Sequence, residues 1–147
     1  MPPPRGRLTI DGDAFALSVL RAELDTGVTV DRWRPNNFLK HLPFIEAHVT
    51  PGSGLGTTRD PARMIRHRSV AELAVETWAA DPRAAADLAD AVTAALLRVH
   101  RGQHEHAGGY LWRLEMPLAP GEIRSGTQLG GVVHFGAAYV LHLRPAR

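Results

Sequence analysis

Between Val70 and Gly102 the chain changes period. In "VAELAVETW", Leu73, Val75 and Thr77 alternate with Glu72, Ala74 and Glu76, the two-residue repeat of a strand with one packed and one wet face. From Pro82 onward, Ala85, Leu88, Val92, Ala95, Leu96 and Val99 recur at spacings of three and four, which predicts an amphipathic helix. Asp81 stands at the N-cap, and Pro82 takes the first helical position, where its missing N–H costs nothing. Asp87 and Asp90 in the early turns and Arg98, His100 and Arg101 at the end agree with the helix dipole, and Gly102 is placed to stop the helix.

The flanking segments carry weaker versions of both patterns. Leu17, Leu20 and Leu24 predict a first helix capped by Asp13 and ended by Gly27. "VTVDRW" from Val28 predicts a short strand entering the turn "RPNN". In "FIEAHV", Phe44 to Val49, the side chains of Ile45, Ala47 and Val49 point one way and those of Glu46 and His48 the other. "YLWRLEM" from Tyr110 alternates Tyr110, Trp112, Leu114 and Met116 against Leu111, Arg113 and Glu115. "VVHFGAAYVLHL" sets Val133, Phe135, Ala137, Tyr139, Leu141 and Leu143 on one side, with His134 and His142 on the other. The order α-β-β-β-α-β-β predicts an α+β fold, a mainly antiparallel sheet with two helices packed on one face. Residues 1–12 are expected as a loose N-terminal arm, 51–68 as a long Gly/Arg-rich loop, and 117–131 as a Gly/Pro-rich loop.

Composition narrows the class. A chain of 147 residues has the length of one domain with its own core. There is no cysteine, which excludes disulfides, thiolate metal sites and a cysteine nucleophile. The N-terminal "MPPPRGRLTI" has no apolar run of signal-peptide length and no later stretch is long enough for a membrane-spanning helix, so a soluble protein without membrane contact is expected. Net charge is only +2, yet of 17 basic residues Lys40 is the one lysine. Arg59, Arg63, Arg66 and Arg68 form a cluster suited to phosphate or carboxylate contacts, or simply a solvated loop in an arginine-rich chain.

Candidate chemistry starts at "GSGLGTT", Gly52 to Thr58. Phosphate-binding loops of the P-loop type need a lysine directly before the Ser/Thr and a helix after the glycines. Here Leu55 and Gly56 occupy those positions and the chain leads into a strand, so the segment reads as a connection or binding loop. "HRGQHEH" offers His100, His104 and His106 with Glu105 as a possible metal group, but its spacing is not diagnostic and a solvated polar turn is the simpler reading. Neither paired carboxylates nor a serine with histidine on a shaped turn is evident, so the expectation is no enzyme, no cofactor and no metal. Trp33, Trp78 and Trp112 are core residues or interface anchors.

The run "SVAELAVETWAADPRAAADLADAVTAALL" resembles the signature region of phage tail terminator proteins of long-tailed phages, also called tail completion or minor tail proteins. The matching residues are Val75, Glu76, Trp78 and Ala79 of a "V-E-x-W-A"-like strand end. They are followed by Ala86, Asp87, Leu88, Ala89, Val92, Ala95 and Leu96 of the helix. Motif resemblance covers residues 66–101; the element order agrees over most of the chain. Two features depart from the family pattern: the glycine loop is longer, and "PLAPGEIRSGTQLGG" separates the last strands widely.

The resemblance implies a structural virion protein, hexameric in the family. It forms a ring that caps the tail tube, stops tube polymerisation and presents the head-docking surface. The implied partners are further copies of itself, the tail tube protein, the head–tail connector proteins and DNA passing transiently through the channel. The implied location is the head-proximal end of the tail, and the host cytoplasm during assembly. In this setting Arg59, Arg63, Arg66 and Arg68 would line the channel or touch a partner. The head-to-tail joining protein of the neck shares the fold and ring symmetry and is an alternative. A small His-dependent metal-binding protein using His100, His104 and His106 is an alternative of a different class.

Overall fold

A computed structural model describes residues 10–50, 69–123 and 132–146. Its elements are α1 (Gly12–Glu23), β1 (Thr29–Asp31), a single 3-10 turn (Phe38–His41), β2 (Phe44–Val49), β3 (Ser69–Ala79), α2 (Pro82–Gly102), β4 (Gly109–Glu122) and β5 (Val133–Pro145). The five strands form one sheet in the order β1-β2-β3-β5-β4. The β1–β2 pair is parallel and the other neighbours are antiparallel, so the α+β architecture expected from the period changes is the one observed.

Both helices cover the same sheet face. Phe15, Ala16, Val19 and Leu20 of α1 and Leu88, Val92, Ala95, Leu96 and Val99 of α2 share one buried cluster with Ile45, Ala47, Leu73, Val75, Leu111, Tyr139, Leu141 and Leu143. Each fully buried side chain of this size contributes about 1.5–3 kcal/mol. Polar ties fix the helices on the sheet. The Thr93 and Tyr139 hydroxyls lie 2.6 Å apart, and Glu23 at the end of α1 takes Arg98 of α2 at 3.0 Å.

The caps of α2 form as expected at its start: the Asp81 carboxylate accepts from the Ala84 N–H at 2.8 Å. At its end Gly102 remains helical, and Gln103 takes the left-handed cap at φ 49°. In α1 the expectation needs correction. Asp11, not Asp13, accepts from the Ala14 N–H at 3.2 Å, and the helix ends at Glu23, before Gly27. Asp13 instead accepts from the Val49 N–H at 2.7 Å and pairs with Arg32 at 3.0 Å, tying the first turn of α1 to β2. The expected loose arm is also shorter than read, because Ile10 packs on the core and Asp11 caps α1. Residues 1–9 lie outside the described residues.

β4 departs most from its expected pattern. The register with β5 shifts between Leu111 and Arg113, between Glu115 and Leu118, and again before Gly121. The first shift is a bulge at Trp112: an extra residue reverses the phase, so Leu111 and Leu114 both reach the core side although they sit on opposite sides of a strict alternation. The strand also runs on to Glu122, so residues 117–122 of the expected Gly/Pro-rich loop are strand. Residues 124–131 of that loop, and the whole 51–68 loop, lie outside the described residues.

Candidate interaction surface

The face away from the helices is built by the other phase of each strand. Because β1 and β2 are parallel, residues 32–43 must cross from the end of one to the start of the other. They do so over this second face, where Phe38 of the 3-10 turn meets Phe44 and Trp78 with ring centroids 6.0 and 5.5 Å away. The result is a small second core of Phe38, Phe44 and Trp78, with Leu42 and Val132 against it. Arg34 lies 4.9 Å from the Phe38 ring and 5.0 Å from the Trp78 ring, a cation over two aromatic faces.

Next to this small core, carboxylates and imidazoles alternate across β2, β3 and β5. Glu46 and Glu76 are direct cross-strand partners. Glu46 accepts from the Arg34 N–H at 2.8 Å and has His48 4.0 Å away. Glu76 Oε1 lies 3.5 Å from His134 Nε2, and this histidine is the main reason its carboxyl is held below the ordinary carboxylate range, against a smaller upward push from burial. Each imidazole is also stacked on an indole: His134 on Trp78 at 4.3 Å and 9°, His48 on Trp33 at 5.6 Å and 18°. Further along, Glu115 joins His142 and Arg113, both at 2.9 Å; the His142 bond leads the lowering of its pKa.

The three tryptophans have three different roles. Trp78 is 2% exposed and belongs to the small second core, so it is not an available anchor, and the expectation of an interface role is corrected for it. Trp33 is 62% exposed and carries Arg32 5.4 Å from its ring. Trp112 is half-buried, edge-on to His142, with its carbonyl accepting from His100 Nε2 at 3.1 Å. Arg59, Arg63, Arg66 and Arg68 lie outside the described residues, as does "GSGLGTT".

The histidines of "HRGQHEH" are drawn to separate partners. His100 donates to Trp112, His104 lies 3.7 Å from Glu23, and His106 Nδ1 is 2.9 Å from the Ser18 hydroxyl, with its ring edge-on to Phe15. Burial is the main cause lowering the His106 pKa below its ordinary 6.5. Among the described residues, no group of three or more His, Asp or Glu side chains is placed to hold a metal ion.

Of the residues that stand out most on the surface, the sequence reading singled out Trp33 and missed the others. Among the described residues the exposed large apolar side chains are Trp33, Leu39, Met116, Leu118 and Ile123. The first two belong to the crossover beside β1 and β2, and the others to β4 and the residue after it. Trp33 stacks on His48 of β2, and Leu118 ends the same cross-strand row, His48–Ala74–Ala138–Leu118, three strand spacings or roughly 14 Å along it. The signal available in sequence was "MPLAP": apolar residues alternating with prolines, which only an edge strand accommodates. Pro117 and Pro120 lack the N–H a further strand would need, so this edge presents side chains rather than a backbone template.

No protein-family model matches the chain, and no curated protein is significantly similar to it.

Proposed function

We propose that this protein is a tail terminator: a structural subunit that assembles into a ring on the finished end of a phage tail tube, stops further tube subunits from adding, and offers a surface to the head connector. The observation that carries the reading is the set of large apolar side chains, Trp33, Leu39, Met116, Leu118 and Ile123, left exposed in the crossover and along the end of β4, surface that assembly would bury. A closed ring needs a heterologous contact, in which one surface of each subunit meets a different surface of the next. The strand-to-helix run from Val75 to Leu96, which resembles the terminator signature, supports the same reading. So does an α+β unit whose two helices occupy the same sheet face, with β1 and β4 as the edge strands among the described residues.

No covalent chemistry belongs to this role. The subunit's work is burial of surface: against the next copy, against the tube protein, and against the connector, around a channel through which DNA passes. Electron microscopy of the purified protein with and without tail tubes tests the reading. Rings seated at one end of each tube are expected; tubes with both ends bare at saturating protein would contradict it.

A further inference from the structure

We propose that the chain closes both edges of its own sheet to added strands, with Arg21 as the guard of the β1 edge. An open edge offers a row of unpaired N–H and C=O groups to any extended segment that approaches, the edge of another copy included. In this sheet those groups are taken from within the subunit.

At β1 the phase is set by the Thr29 N–H, which donates to Pro43 O at 3.1 Å. The backbone groups of Thr29 therefore face β2, and those of Val30, one residue on, face away from the sheet. Arg21, in the last turn of α1, directs Nε and Nη2 to Val30 O at 3.3 and 3.0 Å, and these two donors fill both lone pairs of that carbonyl. The N–H groups on either side are engaged as well: Val28 donates to Asp25 O at 3.0 Å and Arg32 to the Asp31 carboxylate at 2.8 Å.

β4 is closed by different residues. The Ala146 N–H donates to Gly108 O at 2.8 Å, so Gly108 faces β5 while Gly109 and Leu111 face out. Gly109 exchanges bonds of 2.9 and 3.0 Å with His106. Leu111 O accepts from Gln103 Nε2 at 2.9 Å, and the carbonyl of the bulged Trp112 from His100 Nε2 at 3.1 Å. Further along, Pro117 and Pro120 have no N–H to give. A neighbour thus meets the described edges through side chains, with no strand shared between subunits. Edge closure is a property of the folded subunit and stands whether or not the protein caps tubes.

Arg21 is the guard to remove, because it is exposed and caps no helix, whereas Gln103 also ends α2. Arg21→Met keeps a long stem and deletes every donor. The parent and this variant are compared by circular dichroism, by sedimentation velocity over rising concentration, and by amide hydrogen exchange. The variant is expected to keep the parent's spectrum, to associate at concentrations where the parent holds its size, and to show slowed exchange at residues 28–32 in the associated species. A variant that sediments like the parent at every concentration would overturn the proposal. So would association that leaves exchange at residues 28–32 unchanged, and so would loss of the native spectrum, since Arg21 would then hold the fold rather than the edge.

Discussion

The Trp78 indole and the His134 imidazole lie face to face across β3 and β5, 4.3 Å apart and within 9° of parallel. They are cross-strand partners in the register, and they join the small aromatic core under the crossover to the row of imidazoles and carboxylates beside it. Trp78 therefore supports the crossover that carries Trp33.

Truncating Trp78 is expected to be costly and truncating Trp33 cheap. Trp78→Ala empties the centre of the second core and should destabilise the fold by about 3–5 kcal/mol. Trp33→Ala, on an exposed side chain, should stay within about 0.5 kcal/mol in the monomer. Chemical denaturation of both variants checks this, and equal losses would contradict the division between support and contact surface.

Gly12→Ala sets helix propensity against packing. Alanine is favoured over glycine inside a helix by about 1 kcal/mol, and less at the first turn. A Cβ at Gly12, however, would lie 2.8 Å from the Ala71 Cβ and 3.1 Å from Val49 Cγ2. Ala71 has no rotamer with which to move away, so α1 would have to lift off β3. The expected outcome is a loss of about 1–3 kcal/mol in denaturant unfolding; a gain would show that α1 has freedom to shift.

Thr77→Val should do the reverse. Thr77 is 2% exposed on the helix-covered side, and its hydroxyl has no hydrogen-bond partner. A buried unsatisfied group of this kind costs about 1–3 kcal/mol, and valine keeps the shape. Thermal unfolding should show a variant as stable as the parent or more so, and a clear loss would mean that the hydroxyl is satisfied in solution.

Acid should weaken the fold in two separate windows. His106 has its pKa lowered mainly by burial, with Glu23 opposing and His104 adding to the shift. In the unfolded chain the ring takes a proton near 6.5, whereas in the folded chain it resists doing so. Its stabilising increment is thus present above that value and lost as pH falls through the lower folded value. Glu76, lowered chiefly by His134, follows the same sign below its ordinary 4.5. Stability of the parent relative to His106→Gln should shrink as pH falls through 6.5, the ordinary value that the unfolded chain keeps, and on towards the lower folded value. A difference that is flat with pH would show that His106 titrates normally.

The legible parts of this fold were those set by neighbours in sequence. α2 from its Asp81 cap and Pro82 to Gly102, the buried phase of β3 at Leu73, Val75 and Thr77, and that of β5 from Ala137 to Leu143 all follow from local pattern. The misread parts depend on distant partners. Trp78 sits in the polar phase of β3, and only Phe38 and Phe44, brought over it by the crossover, bury it. The bulge at Trp112 reverses the phase of β4 because of pairing with β5, which no window of β4 alone encodes. For the candidate surface, Trp33 was identified from residue type. Leu39, Met116, Leu118 and Ile123 were not, since exposure of an apolar side chain is decided by which strands end up at the edges.

The central claim is that this subunit ends tube growth, and the most direct measurement is tube length. Purified tail tube protein from the same genome is allowed to polymerise, and this protein is added while elongation continues. Elongation should then stop, leaving tubes of fixed length with one end occupied, and the Trp33→Asp/Leu118→Asp variant should leave growth running. Tubes that lengthen at the same rate with and without the unmodified protein would contradict the account.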